Sequence, residues 1–265
     1  MLKKILVCFM VAVIITATIG TECAQADAMS NPYGSCDGET HHDSAKFRKL
    51  IQVKKVGDNN YKVTAFFQWK VVPKQRKTDL ISVDLTNYAS SVSKVSCEYF
   101  YGNNGDKVVF GGIGGVQASE KKSVKCSVTT LKNGRKSIVG GVPLAGTLYD
   151  NHIVRLTFNI KLKKSFLEGI KSGKKKRMGF FLDYQHCTSK SINIVSGIYD
   201  IMSLATGLYA FSTGDSTPLA EGLVSTVNDI EDALKKYYSR MAPTSNWGYV
   251  YVDSKGKISN YSATF

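Results

Sequence analysis

Apolar residues alternate with polar residues along much of the chain between positions 46 and 190. The clearest run is HIVRLTFNIKL, residues 152–162, in which every second residue from Val154 to Leu162 is apolar. The run YKVTAFFQWKV, residues 61–71, repeats the pattern with Phe66 as its exception. A period of two places the apolar side chains on one face of a β-strand, where they can pack against a second sheet. The two runs therefore predict strands that are buried on one face.

The same character predicts further strands at Leu50–Val56, Ile81–Leu85, Val95–Tyr101, Lys107–Phe110, Val124–Val128 and Met178–Tyr184. Two turn sequences, VGDNNY at 56–61 and LKNGRK at 131–136, predict hairpins, the second through its Asn133-Gly134 pair. Many short strands without a helical pattern between them are typical of an antiparallel β-sandwich. We expect a mainly β fold, with a polar lead-in over residues 27–45 and the sandwich over residues 46–190.

The apolar period changes after residue 190. In SINIVSGIYDIMSLATGLYAFSTG, residues 191–214, apolar residues recur at steps of three and four, as on a helix face. A second amphipathic segment runs to residue 240, with Thr217 as N-cap and Pro218 as its first residue. These segments predict a helical hairpin, over residues 191–242, packed on the sandwich. Strand character then returns and predicts a C-terminal β-hairpin over residues 243–265.

The first of these helices has the length of a membrane span. Asp200 falls near its middle, however, and a carboxylate at the centre of a bilayer costs roughly 2.5–3.5 kcal/mol on insertion scales. We therefore expect no permanent span in the mature protein. Two interpretations remain open, a helix buried against the sandwich and a helix that inserts conditionally at a membrane surface.

The N-terminus has the parts of a signal peptide. Lys3 and Lys4 precede the apolar run Ile5–Gly20, and small residues around Ala26 and Ala28 offer cleavage after residue 26 or 28. We expect residues 1–26 to be removed and the protein to be secreted, extracellular or loosely associated with a cell wall. Abundant lysine with little arginine, together with this signal, suggests a low-GC Gram-positive bacterium.

Four cysteines follow the signal sequence, at positions 36, 97, 126 and 187. An even number in an exported chain predicts two disulfides, for which three pairings are possible. We favour Cys97–Cys126, because both residues lie among inward-facing apolar neighbours. The other bridge is then Cys36–Cys187, which brackets the strand-rich region.

The chain has a net charge of +14, and its basic residues are densest at positions 161–177. One acid, Glu168, lies among eight basic residues: Lys161, Lys163, Lys164, Lys171, Lys174, Lys175, Lys176 and Arg177. Lysine acts as a solvated point charge, which suits diffuse attraction to a polyanion. We predict an anion-binding loop that docks on an anionic polymer or an anionic membrane surface. A merely solubilising loop is the alternative, and nucleic acid is not expected as a partner of an exported protein.

Other chemical motifs are weak. The run His41-His42-Asp43 lacks the spacing of a metal site, and His186 beside Cys187 would form a reactive pair only if that thiol were reduced. Asp150 and His152 are too close in sequence to converge, and Gly111–Val116 has no helix after it to bind phosphate. We therefore predict no catalytic residue, no metal and no cofactor.

Three functions follow from these features. The first is a secreted, cationic, non-enzymatic protein that binds a cell-wall polymer or an anionic membrane through its lysine-rich loop. The second is a membrane-active toxin or bacteriocin that uses the helical hairpin over residues 191–240. The third is a cell-wall hydrolase, for which the sequence offers no paired carboxylates.

Overall fold

A computed structural model describes residues 36, 38–74, 77–102, 109–111, 115–118, 120–130, 135–144, 152–188, 238–241 and 247–260. Strands dominate these residues. In chain order they are β1 (Gly38–Asp43), β2 (Phe47–Gly57), β3 (Asn60–Trp69), β4 (Thr78–Leu85), β5 (Ala89–Tyr101), β6 (Val109–Gly111), β7 (Gly115–Gln117), β8 (Glu120–Val124), β9 (Cys126–Thr130), β10 (Lys136–Pro143), β11 (His152–Leu162), β12 (Lys175–Cys187), β13 (Tyr238–Arg240), β14 (Trp247–Asp253) and β15 (Ile258–Asn260). A short helix, α1 (Lys164–Glu168), connects β11 to β12.

The strands form two large antiparallel sheets. The first has the order β1-β2-β3-β11-β5-β8, and the second has the order β15-β14-β12-β4-β10-β9 with β13 also paired to β12. Strands β6 and β7 pair with each other and belong to a separate compact unit. The prediction of a mainly β, antiparallel fold is confirmed, and the two sheets are consistent with a β-sandwich.

The core lies between the inner faces of the two sheets. In β11 the side chains of Val154, Leu156, Phe158, Ile160 and Leu162 are at most 2% exposed, as their alternation predicts. They belong to one apolar cluster with inward residues of β4 and β12 from the second sheet. Aromatic rings also meet across the sheets, since Phe67 and Tyr184 have centroids 5.8 Å apart. Removal of this apolar surface from water is the main source of stability in such a layered fold.

The first predicted hairpin turn, at residues 56–61, lies where the sequence predicted it. Strands β2 and β3 pair antiparallel around it, and Asn59 adopts a left-handed backbone with φ of 57°. Asparagine tolerates this conformation better than most residues. The second predicted turn, at 131–136, lies partly outside the described residues, but β9 and β10 on either side of it pair antiparallel.

The predicted strand Val124–Val128 is wrong. Its residues are divided between β8, at the edge of the first sheet, and β9, at the edge of the second. The chain passes from one sheet to the other at the exposed Lys125. Alternation alone cannot show such a transfer, because each half continues to look like a strand.

Most of the predicted helical hairpin, residues 191–237, lies outside the described residues. Its end is a correction, because Tyr238–Arg240 form β13 instead of the last turn of a helix. This strand pairs with Gln185–Cys187 at the end of β12, and the side chain of Tyr238 is buried. Within the residues that the structure describes, no helix is long and apolar enough to cross a membrane.

The C-terminal strands β14 and β15 pair antiparallel within the range predicted for a β-hairpin, and β14 joins the second sheet through β12. The turn between them is hydrogen-bonded to the first sheet. The hydroxyl of Tyr61 donates to the carbonyl of Gly256 at 2.8 Å, and Lys55 Nζ donates to the carbonyl of Lys255 at 3.0 Å. Gly256 has φ of 73°, and a Cβ there would lie 2.5 Å from the Tyr61 oxygen. These contacts hold the position of β14.

Candidate anion-binding surface

The basic segment, residues 161–177, is divided among four elements. Lys161 belongs to the end of β11, Lys163 is the N-cap of α1 and Lys164 its first residue. Lys171 and Lys174 lie in the following turn, and Lys175–Arg177 begin β12. The sequence predicted a loop here, so the short helix and the early start of β12 are corrections. A backbone bond from Lys174 N to the Lys171 carbonyl, 3.0 Å, closes the turn, and Gly173 has φ of 72°.

Seven of the eight basic side chains of this segment are exposed, and Lys163 is half-buried. Lys163 Nζ donates to the side-chain oxygen of Asn87. Lys164 lies 3.6 Å from Glu168, the one acid of the segment, in an exposed i,i+4 pair. Such pairs contribute little to stability. The predicted anion-binding residues therefore lie on the β11–β12 connection and on the strand ends that flank it.

Beside this segment, the outer face of β14 carries three aromatic rings at alternate positions. Trp247, Tyr249 and Tyr251 are half-buried, whereas the alternate residues Val250 and Val252 point inward and are buried. Successive residues on one face of an antiparallel strand lie roughly 7 Å apart, so the rings form a row. The planes of Trp247 and Tyr249 differ by 12°, with centroids 6.1 Å apart.

Each ring has a cation near it. Arg135 Cζ lies 5.9 Å from the Trp247 centroid, Arg177 Cζ lies 5.2 Å from that of Tyr249, and Lys175 Nζ lies 6.0 Å from that of Tyr251. These distances suit cation–π attraction. We call these six residues the aromatic–basic row: Trp247, Tyr249, Tyr251, Arg135, Arg177 and Lys175. Lys175 and Arg177 belong to both the row and the basic segment, so the two surfaces are continuous.

Glycine makes room for the row. Gly179 lies opposite Tyr249 in the β12–β14 register. A Cβ at Gly179 would lie 3.1 Å from the Tyr249 ring and 3.5 Å from the Trp247 ring. A Cβ here would be tight against the Tyr249 ring and in ordinary contact with the Trp247 ring, so a side chain would displace Tyr249 first. The sequence prediction missed the row, although the alternation in WGYVYVD was visible, because the partner cations come from other strands.

A second polar cluster lies inside the sandwich around Asp79, which is fully buried. Its carboxylate accepts hydrogen bonds from the Tyr184 hydroxyl at 2.7 Å and the Cys187 amide at 3.0 Å, and His186 Nδ1 lies 2.9 Å from it. Tyr184 in turn accepts from Trp69 Nε1 at 2.9 Å, which links the two sheets. Burial raises the pKa of Asp79 although these hydrogen bonds oppose the shift. The sequence prediction missed this cluster, because Asp79 lies more than a hundred residues from its partners.

A third cluster contains two carboxylates on adjacent strands, Asp84 and Asp183, both fully buried. The Ser137 hydroxyl donates to Asp84. Burial raises the pKa of Asp84 to about 7, with the Ser137 bond and the charge of Arg135 lowering it and the charge of Asp183 raising it. Arg135 therefore interacts with both this cluster and the aromatic–basic row.

The predicted cysteine pairs differ in their surroundings. The thiols of Cys97 and Cys126 hydrogen-bond to each other, and this bond, followed by burial, raises the pKa of Cys97. They come from different sheets, and Gly140 leaves space, since a Cβ there would lie 2.6 Å from Cys126 Sγ. Cys36 precedes β1 and Cys187 ends β12. No disulfide bond joins these four described cysteines in the structure.

The histidines considered in the sequence are dispersed. His41 and His42 lie in β1, His186 contacts Asp79, and His152 Nδ1 lies 2.5 Å from the Tyr99 hydroxyl. Asp150 lies outside the described residues. Within the described part of the chain, no three histidine, cysteine or acidic residues gather as a possible metal site.

The buried Asp84 predicts a specific pH dependence. Its folded pKa of about 7 exceeds its ordinary value of 3.8, so the folded state holds a proton that the unfolded state releases. Its contribution to stability is present below pH 4 and is lost as the pH rises to 7, at up to about 1.4 kcal/mol per pH unit. In urea unfolding, Asp84→Asn should have the same free energy of unfolding as the wild type near pH 4 and a larger one at pH 8.

Glu168→Gln, which changes an exposed carboxylate, is the matched control and should show no such trend. A difference between Asp84→Asn and the wild type that stays constant from pH 4 to 8 would contradict a protonated Asp84.

No family model and no curated protein sequence matches the chain. Among solved structures, AvmM, which catalyses macrocyclization in alchivemycin A biosynthesis, aligns with 58% of this chain and 86% of its own at 12% identity and a TM-score of 0.25. The collagen-binding domain from a Staphylococcus aureus adhesin aligns with 57% of this chain and 93% of its own at 10% identity and a TM-score of 0.28. Scores this low support no inference about function.

Proposed function

We propose that the protein is secreted and binds an anionic polymer or an anionic membrane surface through its basic segment, without catalysing a reaction. One observation carries the proposal: seven of the eight basic side chains at 161–177 are exposed on a single connection that contains one acid. A surface of one sign raises the local concentration of oppositely charged partners and speeds their association. Lysine predominates, which suits a partner with repeated charges more than one that requires bidentate recognition.

The anchoring of this segment supports the proposal. β12 continues from the exposed Lys175–Arg177 directly into the buried Met178, so the charges are attached to the core of the second sheet. Lys175 Nζ donates to Ser259 Oγ at 3.1 Å, and Lys176 Nζ lies 4.6 Å from the Phe166 ring of α1. A positively charged surface with a fixed backbone loses less conformational entropy on binding than a disordered tail. The membrane-active alternative uses the hairpin predicted over residues 191–240, of which 191–237 lie outside the described residues.

We also propose that export oxidises the cysteines, with Cys97 joined to Cys126 and Cys36 joined to Cys187. The contact between the Cys97 and Cys126 thiols and the space at Gly140 support the first bridge. Each bridge forms one S–S bond and releases two protons and two electrons, which a disulfide oxidant such as glutathione disulfide accepts. The first bridge would tie β5 of the first sheet to the edge strand β9 of the second.

Removal of the densest charges tests the binding function. We expect the variant with Lys174, Lys175, Lys176 and Arg177 all changed to Ser to lose retention on anionic beads and on anionic vesicles. Near an anionic surface each basic residue contributes about 1 kcal/mol, so the binding constant should fall by roughly two to three powers of ten at low salt. Wild-type binding should itself weaken as salt is added, because exposed charges are screened.

The matched control changes the same number of charges elsewhere. Lys46, Lys54, Lys62 and Lys94 are exposed and lie outside the segment. Their simultaneous change to Ser should reduce binding far less. Equal losses in the two variants would show that only net charge matters and would refute a localised site.

The first disulfide is tested by oxidising the protein with glutathione disulfide, digesting it without reduction and identifying linked peptides. We expect a peptide that joins Cys97 to Cys126. Cys126→Ser should lower the free energy of unfolding of the oxidised protein by about 2–4 kcal/mol and have a smaller effect under reducing conditions. A link from Cys97 to Cys36 or Cys187, or a free Cys97 thiol after oxidation, would refute this pairing.

A further inference from the structure

We propose that the aromatic–basic row binds an acidic polysaccharide, whose sugar rings lie on Trp247, Tyr249 and Tyr251 while their sulfate or carboxylate groups meet Arg135, Arg177 and Lys175. This proposal rests on the proposed function and specifies its partner, since the row shares Lys175 and Arg177 with the basic segment. The row lies along one strand, so the ligand it fits is an extended chain with repeated units.

The composition of the row requires a ligand with both apolar faces and negative charges. The face of an aromatic ring is electron-rich and attracts C–H groups, which one side of a sugar ring presents. The guanidinium groups of Arg135 and Arg177 can donate two parallel hydrogen bonds to a carboxylate or sulfate. A polyphosphate has no apolar face, so it would use the three cations and leave the three rings without a role.

A lipid bilayer fits the row less well. Insertion into lipid uses large exposed apolar side chains, and among the described residues those are Val56, Val71 and Val128. None of the three belongs to the row or to the basic segment. The rings of the row are half-buried and stand beside cations, which suits a ligand that lies on the surface.

A single-stranded nucleic acid would also bring rings and negative charges. The centroids of Trp247 and Tyr249 are 6.1 Å apart with nearly parallel planes. A base inserted between two rings makes a van der Waals contact on each side and needs about 7 Å. The spacing thus excludes interleaved bases and requires a ligand that lies across the rings.

The test compares four probes by titration calorimetry: a heparin decasaccharide, linear polyphosphate, a twelve-residue oligothymidylate and vesicles of phosphatidylglycerol with phosphatidylcholine. The wild type should bind the decasaccharide more tightly than the other three. Tyr249→Ala with Tyr251→Ala removes two rings and no charge. We expect this variant to bind the decasaccharide at least tenfold more weakly and polyphosphate within twofold of the wild type.

Two conservative variants make the result specific. The double variant Tyr249→Phe with Tyr251→Phe keeps both rings and should have most of the wild-type affinity for the decasaccharide. Because it also lacks both hydroxyls, this result would show that the alanine variant binds weakly for want of the rings. Arg177→Lys keeps the charge and loses the planar fork, so it should weaken decasaccharide binding several-fold.

The outcomes separate this proposal from the proposed function. Equal loss of decasaccharide and polyphosphate binding in the alanine variant, or no loss of either, would overturn the role of the row while the basic segment still bound anions. Tighter binding of oligothymidylate or vesicles than of the decasaccharide would overturn the polysaccharide as ligand. Failure of the wild type to bind any of the four probes would overturn the proposed function and this inference together.

Discussion

Burial of β12 between β4 and β14 is the interaction on which the rest of the structure depends. Its middle residues, from Met178 to Tyr184, are buried and supply one wall of the core. Its first three residues are exposed and basic, and its last residues pair with β13 and contact Asp79. One strand therefore joins the exposed basic segment, the apolar core and the buried polar network. A shift of its register by one residue would turn the core residues outward and disperse the basic surface.

The buried carboxylates Asp79 and Asp84 lower the stability of this fold when they are charged. A charged group in the core loses its hydration, and hydrogen bonds compensate for that loss only in part. Asp79 has three hydrogen-bond partners on β12 of its own sheet, and one of them, Tyr184, also bonds to Trp69 of the first sheet. Asp84 has the Ser137 hydroxyl and the charge of Arg135. We interpret Asp79 as a group that specifies how the sheets meet. The raised pKa of Asp84, about 7, is expected to make the stability of the fold depend on pH.

The sequence predicted those features that depend on neighbouring residues. The alternation in 61–71 and 152–162 identified two core strands, the charges of 161–177 identified an exposed basic segment, and the turn at Asn59 was in place. Features that depend on strand pairing were missed. Alternation did not reveal that the chain passes from one sheet to the other at Lys125. It also did not reveal the pairing of Tyr238–Arg240 with β12 or the approach of Arg135 to Trp247, because these contacts join residues far apart in sequence. The register in which such strands pair cannot be read from a single sequence.

The basic segment together with β14 is proposed to bind an acidic polysaccharide. The most direct measurement is a titration of ¹⁵N-labelled protein with a heparin decasaccharide, followed by amide chemical shifts. We predict shift changes concentrated at residues 171–177 and 247–251, with little change at the β2–β3 turn around Asn59. Changes centred on that turn, or spread evenly over the exposed lysines, would contradict the account.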